Sequence, residues 1–115
     1  MLDGVSNRNI SVIRQNTTPD CLILEDGHLY TLDSVAKHMA HAKKAASYHR
    51  VNHLYFATTR VEGNAAWVAF TNIADITINE KTITENFLES AYLTKISGVW
   101  KVQMLHSTSI TSYTK

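Results

Sequence analysis

The hydrophobic period changes at Tyr48, and that change constrains the fold more than any other feature of the chain. Before it, Leu32, Val35, Met39, Ala42 and Ala46 recur at i, i+3 and i+7 steps, the stripe of an amphipathic helix. After it, apolar and polar residues alternate, the period of a half-buried strand. Three turn signals, Gly63-Asn64, Asn79-Glu80-Lys81 and Ser97-Gly98, cut the alternating part into four long strands. Helices followed by a meander give an α+β domain with an antiparallel sheet. The helices must cover one face of that sheet and leave the other to solvent or a partner.

Upstream, the pattern predicts the end of an opening helix over residues 1–6, a break at Asn7-Arg8, and a short helix capped by Asn9 that carries Ile10 and Ile13 inward. Thr17-Thr18-Pro19 stops it, because the residue before a proline is pushed out of the helical region. Cys21 to Leu24 reads as a short apolar strand, ended by the turn-forming Glu25-Asp26-Gly27. Thr31 then caps the amphipathic helix, expected over 32–46, with Asp33 in its first turn. Its outer face carries Lys37, His38, His41, Lys43 and Lys44.

The 115 residues suit one domain over 1–115 with a single core. With 11 Lys and Arg against 10 Asp and Glu, no basic surplus exists to neutralise phosphates or hold an anionic membrane, so neither nucleic acid nor membrane is an expected partner. Cys21 is the one cysteine and reads as a small core residue. No apolar run of roughly 18 residues occurs, and Met1-Leu2-Asp3-Gly4 lacks the charged-then-apolar pattern of a signal peptide, so a cytoplasmic location is expected. Dinucleotide, phosphate-loop and zinc-protease motifs are missing, and no cofactor is expected. His38 and His41 stand three apart on one helix, but no cysteine or carboxylate completes a site at tight spacing, so no metal is expected.

Residues 9–27, 61–68 and 87–93, with the closing run 98–108, resemble the SnoaL-like branch of the nuclear-transport-factor-two-like (NTF2-like) superfamily over nearly the full chain. The closing run is the most specific part. This resemblance implies a cystatin-like cone: a strongly bent antiparallel sheet wrapped around N-terminal helices, a pocket in the concavity, and frequent dimerisation through the sheet's outer face. It also implies a longer opening helix than residues 1–6 provide, so the first helix is expected to be shortened. No single reaction follows from it, since the superfamily includes isomerases, cyclases, dehydratases, and transport and assembly domains.

Function must then come from the residues on the concave face. A two-residue turn at Ser97-Gly98 pairs Ile96 with Val99 and sets Glu89 opposite His106, on one face with Phe87, Ala91, Leu93, Trp100, Val102 and Met104. Turns at Gly63-Asn64 and Glu80-Lys81 extend the row through Asn72 to Tyr55. A turn at Asn79-Glu80 or Glu62-Gly63 instead brings in Phe70 or His53, and a β-bulge would break the count.

Such a row suits proton transfer: Glu89 as general base, His106 as acid or orienting partner, Tyr55 as oxyanion donor. Asn72, Phe70, Phe87, Met104 and Trp100 would line the ligand. The first functional expectation is therefore the binding of a small hydrophobic molecule with a polar or enolisable carbonyl centre, extending to isomerase or hydro-lyase chemistry. A Glu and His that satisfy each other would instead merely fix the core. The alternative is a non-catalytic homodimeric assembly module built on the outer face, where Leu88, Tyr92, Thr94, Gln103 and Leu105 fall, with Trp67 directed the same way.

Overall fold

Asn9 begins the chain as described by a computed structural model, which covers residues 9–42 and 48–110. The expected opening helix over 1–6 and the end of the long helix past Ala42 lie outside the described residues. The Asn9 side chain accepts from the backbone N–H groups of Ser11 at 3.0 Å and Val12 at 3.4 Å, satisfying two of the donors that a helix start leaves open. Helix α1 (Ile10–Gln15) follows and buries Ile13 completely. Thr17 closes its other end by donating to the Ile13 carbonyl at 2.8 Å.

The expected strand at Cys21 is longer than its apolar run, β1 (Thr17–Glu25), and a strand the alternation does not announce, β2 (His28–Thr31), pairs back on it. Their turn, Asp26-Gly27, has φ of 47° and 84°, the doubly left-handed geometry of a tight hairpin. Thr31 and Ser34 then exchange a reciprocal pair of side-chain to backbone bonds, at 2.8 and 3.2 Å, which start α2 (Leu32–Ala42) as a capping box. The four long strands follow as expected: β3 (Tyr48–Glu62), β4 (Ala65–Ile78), β5 (Lys81–Ile96) and β6 (Val99–Ile110).

All six strands form one curved sheet in the order β2-β1-β6-β5-β4-β3. Its pairs are antiparallel except β1 with β6, which is parallel because the chain crosses the helices and the meander before returning. Two bulges bend it. Phe56 pairs with Phe70 and Thr58 with Ala69, leaving Ala57 unpaired; Tyr92 pairs with Met104 and Leu93 with Val102, leaving Gln103 unpaired.

The helices lie on the concave face. Ile13, Cys21, Ile23, Leu32, Phe70, Ala91 and Leu105 form the main core, with Val35 and Met39 of α2 packed against them. Cys21 is the core residue its sequence position suggested: burial first, then the neighbouring Asp20, pushes its thiol up to about 11, which disfavours the thiolate. A smaller cluster of Ala74, Ile76 and Phe87, with Tyr48 against it, fills the other end of the same face. Leu105, expected on the outer face, lies in the core because the Gln103 bulge reverses the facing of every β6 residue beyond it. Among the described residues no helix is long and apolar enough to cross a membrane.

Candidate functional site

Between the two apolar clusters the concave face turns polar. Glu89 sits two residues from Ala91 on β5 and is 5 % exposed; Asn72 on β4 is wholly buried, two residues from Phe70. The turn at Asn79-Glu80, one of the alternatives the sequence left open, pairs Phe70 with Glu89 and Asn72 with Phe87. Asn72 is thus diagonal to Glu89, within reach of a long side chain. Ser107 comes in from β6 directly opposite Glu89. On β3, Leu54 pairs with Asn72, which brings Asn52 and Arg50 to the same face by the two-residue period.

These side chains are wired together. Asn72 Nδ2 donates to Asn52 Oδ1 at 3.1 Å, and Arg50 Nε donates to the same oxygen at 2.9 Å. The Arg50 guanidinium lies over the Phe87 ring, 5.4 Å from its centroid. Asn72 and Ser107 both hydrogen-bond the Glu89 carboxylate. Asn72 Oδ1, in contrast, has no hydrogen-bond partner among the described residues although it is fully buried.

Burial raises the Glu89 carboxyl above the ordinary carboxylate value; the bonds from Asn72 and Ser107 and the charge of Arg50 pull it back only in part, and the nearby Glu25 pushes it further up. Glu25 itself is raised, by burial first and by Asp26 next, with Glu85 adding to it and Arg50 and His28 opposing. A carboxyl held above its ordinary pKa by burial is better suited to exchange a proton with a bound molecule than a fully solvated one.

Of the expected row, Asn72 and Glu89 meet on the concave face, as do the expected ligand-lining residues Phe70 and Phe87. Tyr55 and His106 do not. The Ala57 bulge sets Tyr55 opposite Thr71 on the outer face, 60 % exposed. The Gln103 bulge sets His106 opposite Ser90, also outward, while Ser107 takes the place expected for it. The same shift turns Met104 outward, against Tyr92. Trp100 lies before the bulge and keeps its facing, half-buried with Lys95 5.8 Å over its ring, at the turn end of the hairpin. His53, the other alternative for the row, also faces outward, where its ring meets Asp75 at 3.2 Å.

Arg50, Asn52 and Ser107 were missed by sequence reasoning. Arg50 and Asn52 continue the even-numbered alternation back from Leu54, a signal available only once the bulge at Ala57 is known.

The outer face carries a different arrangement. Arg60, Trp67, Tyr92, Met104 and Leu22 follow one another across β3, β4, β5, β6 and β1 as direct cross-strand partners. All four apolar members of this row are exposed to solvent.

Comparison with known proteins places the architecture. No family model matches the chain, and no curated protein matches it. Among solved structures, the hub homology domain of the Chlamydamonas reinhardtii CamKII is 19 % identical over 96 % of this chain and 90 % of that one, with a TM-score of 0.82. A ketosteroid isomerase-like protein from Erwinia carotovora atroseptica is 14 % identical over 96 % and 88 %, with a TM-score of 0.75. An NTF2-like protein from Cytophaga hutchinsonii is 16 % identical over 95 % and 88 %, with a TM-score of 0.73. The α+β NTF2-like cone fold is shared with all three. Fold alone does not choose between an isomerase and a hub.

Proposed function

We propose that the concave face binds a small molecule at the cluster of Arg50, Asn52, Asn72, Glu89 and Ser107, with Glu89 as the group that exchanges a proton with it. The observation that carries this reading is the buried, unpartnered Asn72 Oδ1 beside a carboxyl of raised pKa. A finished core pairs its buried polar atoms, because each one left alone costs about 1–3 kcal/mol. An unpaired acceptor next to a proton-exchanging group suits a site completed by a ligand. Phe70 and Phe87 supply apolar wall on either side. Isomerase or hydro-lyase chemistry belongs to the same proposal, with Glu89 as the base; the SnoaL-like branch remains its family setting, carried by residues 98–108. The test is a thermal-shift screen of small polar and carbonyl compounds. A stabilising compound whose effect disappears in Glu89→Gln supports the reading; no stabilisation by any compound, or stabilisation unchanged in Glu89→Gln and Asn72→Leu, contradicts it.

A second reading rests on the outer row. Trp67, Tyr92, Met104 and Leu22 form a half-exposed apolar stripe across the sheet, and a stripe of this kind suits a two-fold, self-complementary contact between two copies of the chain. The likeness in fold to a hub domain favours it. Gln103 sits beside the stripe, held by Thr94 at 2.6 Å. In this reading light scattering gives twice the monomer mass, and Tyr92→Glu, which buries an unpaired charge, halves it. A parent protein that stays monomeric at micromolar concentration removes the idea.

A further inference from the structure

Resting on the ligand-binding reading above, we infer that the ligand enters the Asn72 cluster through a hydrogen-bond donor and is a small organic amine. Asn72 Nδ2 is already committed, to Asn52 Oδ1 at 3.1 Å and to Glu89, so what the residue still offers is the lone pairs of Oδ1. A ligand carboxylate or carbonyl is itself an acceptor and adds a second oxygen to an oxygen. Only an N–H or O–H group completes the site.

Charge narrows the class. Glu89 lies in this cluster, with Glu25 acting on it, and Glu25 is in turn acted on by Asp26 and Glu85. These four carboxyls, from β1, the β1–β2 turn and β5, face the guanidinium of Arg50 on β3 and the ring of His28 on β2. Arg50 gives its Nε–H to Asn52 and lays its plane over Phe87. The carboxyls acting on Glu25 and Glu89 outnumber the basic groups that oppose them, so an incoming cation is favoured over an incoming anion. The apolar part of the ligand has a landing place in Phe56, whose ring lies 5.5 Å from that of buried Phe70 and is itself exposed on the concave face.

Benzylamine, benzyl alcohol and benzoate share one ring and differ only in the group presented, so they test the inference directly. Calorimetric titration of the protein with each is expected to give benzylamine an affinity at least about tenfold above benzoate, a difference of about 1.4 kcal/mol, with the alcohol between. Bound benzylamine is expected to shift the Asn72 side-chain amide signals in an NMR spectrum of the labelled protein. Its affinity is expected to rise with pH as Glu89 gives up its proton, and benzoate's to fall. Glu89→Gln is expected to weaken benzylamine about tenfold and leave benzyl alcohol nearly unchanged; if that variant does not fold, the pH dependence of the parent protein decides. Benzoate binding as tightly as benzylamine, with Asn72 shifted, overturns the inference and leaves the ligand-binding reading standing. Benzylamine binding without a shift at Asn72 also overturns it. Failure of all three probes to bind overturns both.

Discussion

The two faces of the sheet differ in what they leave unfinished. On the concave face, strands β4 and β5 supply Phe70 and Ala91 to the packed core and, one pleat further on, Asn72 and Glu89 to a buried polar cluster with an unpaired acceptor. On the outer face the same strands present Trp67 and Tyr92, part of an exposed apolar row. Buried polar atoms without partners and exposed apolar rows without cover are opposite defects, and each is relieved by a different kind of partner. In the proposed reading the concave defect is relieved by a small hydrogen-bonding molecule. The outer one calls for a surface.

Replacing one aromatic on each face sharpens this contrast most strongly. Phe70→Ala is expected to lower unfolding free energy in urea by about 3–5 kcal/mol, because it empties the centre of the main core. Trp67→Ala, on the same strand, is expected to cost less than about 1 kcal/mol in a monomer. A large, protein-concentration-dependent loss at Trp67 would instead mark the outer face as an interface.

The next effect concerns pH. The raised pKa of Glu89 means the folded protein holds a proton there that the unfolded chain has released, so stability falls as pH rises from the ordinary carboxylate value of 4.5 through the folded value, and is fully recovered only below 4.5. Glu89→Gln is expected to remove that component and flatten stability against pH in this range. An unchanged profile would mean the carboxyl is not held in a desolvated place.

Smaller changes test the supports. Asn9→Ala is expected to cost about 1 kcal/mol through the lost cap of α1, whose Ile13 anchors the core. On the outer face, the His53 and Asp75 pair is nearly half exposed, and Asp75 also accepts from Thr84 at 2.7 Å; His53→Ala is expected to change stability by less than about 0.5 kcal/mol.

Much of the fold was legible because period and turn residues are local. Asn9, Thr31, the Ser97-Gly98 turn and the four long strands all stand where the sequence put them, while the β4–β5 turn falls at Asn79-Glu80, the alternative to the Glu80-Lys81 turn on which the row was built. The hairpin of β1 and β2 was also written there, in Asp26-Gly27, but β2 is only four residues long and runs straight into the cap of α2. The site was half legible. Asn72, Glu89, Phe70 and Phe87 lie between bulges, where the two-residue period holds, and all point inward. Tyr55, His106, Met104 and Leu105 lie beyond the bulges at Ala57 and Gln103 and were assigned to the wrong face. A bulge is one extra residue that reverses every side chain after it, and nothing in the residues around Ala57 or Gln103 announces one; it is set by the curvature that closing the sheet around the helices demands.

The claim that the concave polar cluster, and not the outer row, is the small-molecule site is tested most directly by mapping where small molecules touch the labelled protein. In a two-dimensional NMR titration with a mixture of small amines, alcohols, carboxylic acids and ketones, the expected result is a set of shifts centred on the Asn72 side-chain amide, the Arg50 Nε–H and the backbone of Ala74 and Glu89, with the Trp67 indole and the Met104 methyl unmoved. Shifts confined to Trp67, Tyr92 and Met104, or a spectrum that does not change at all, would contradict it.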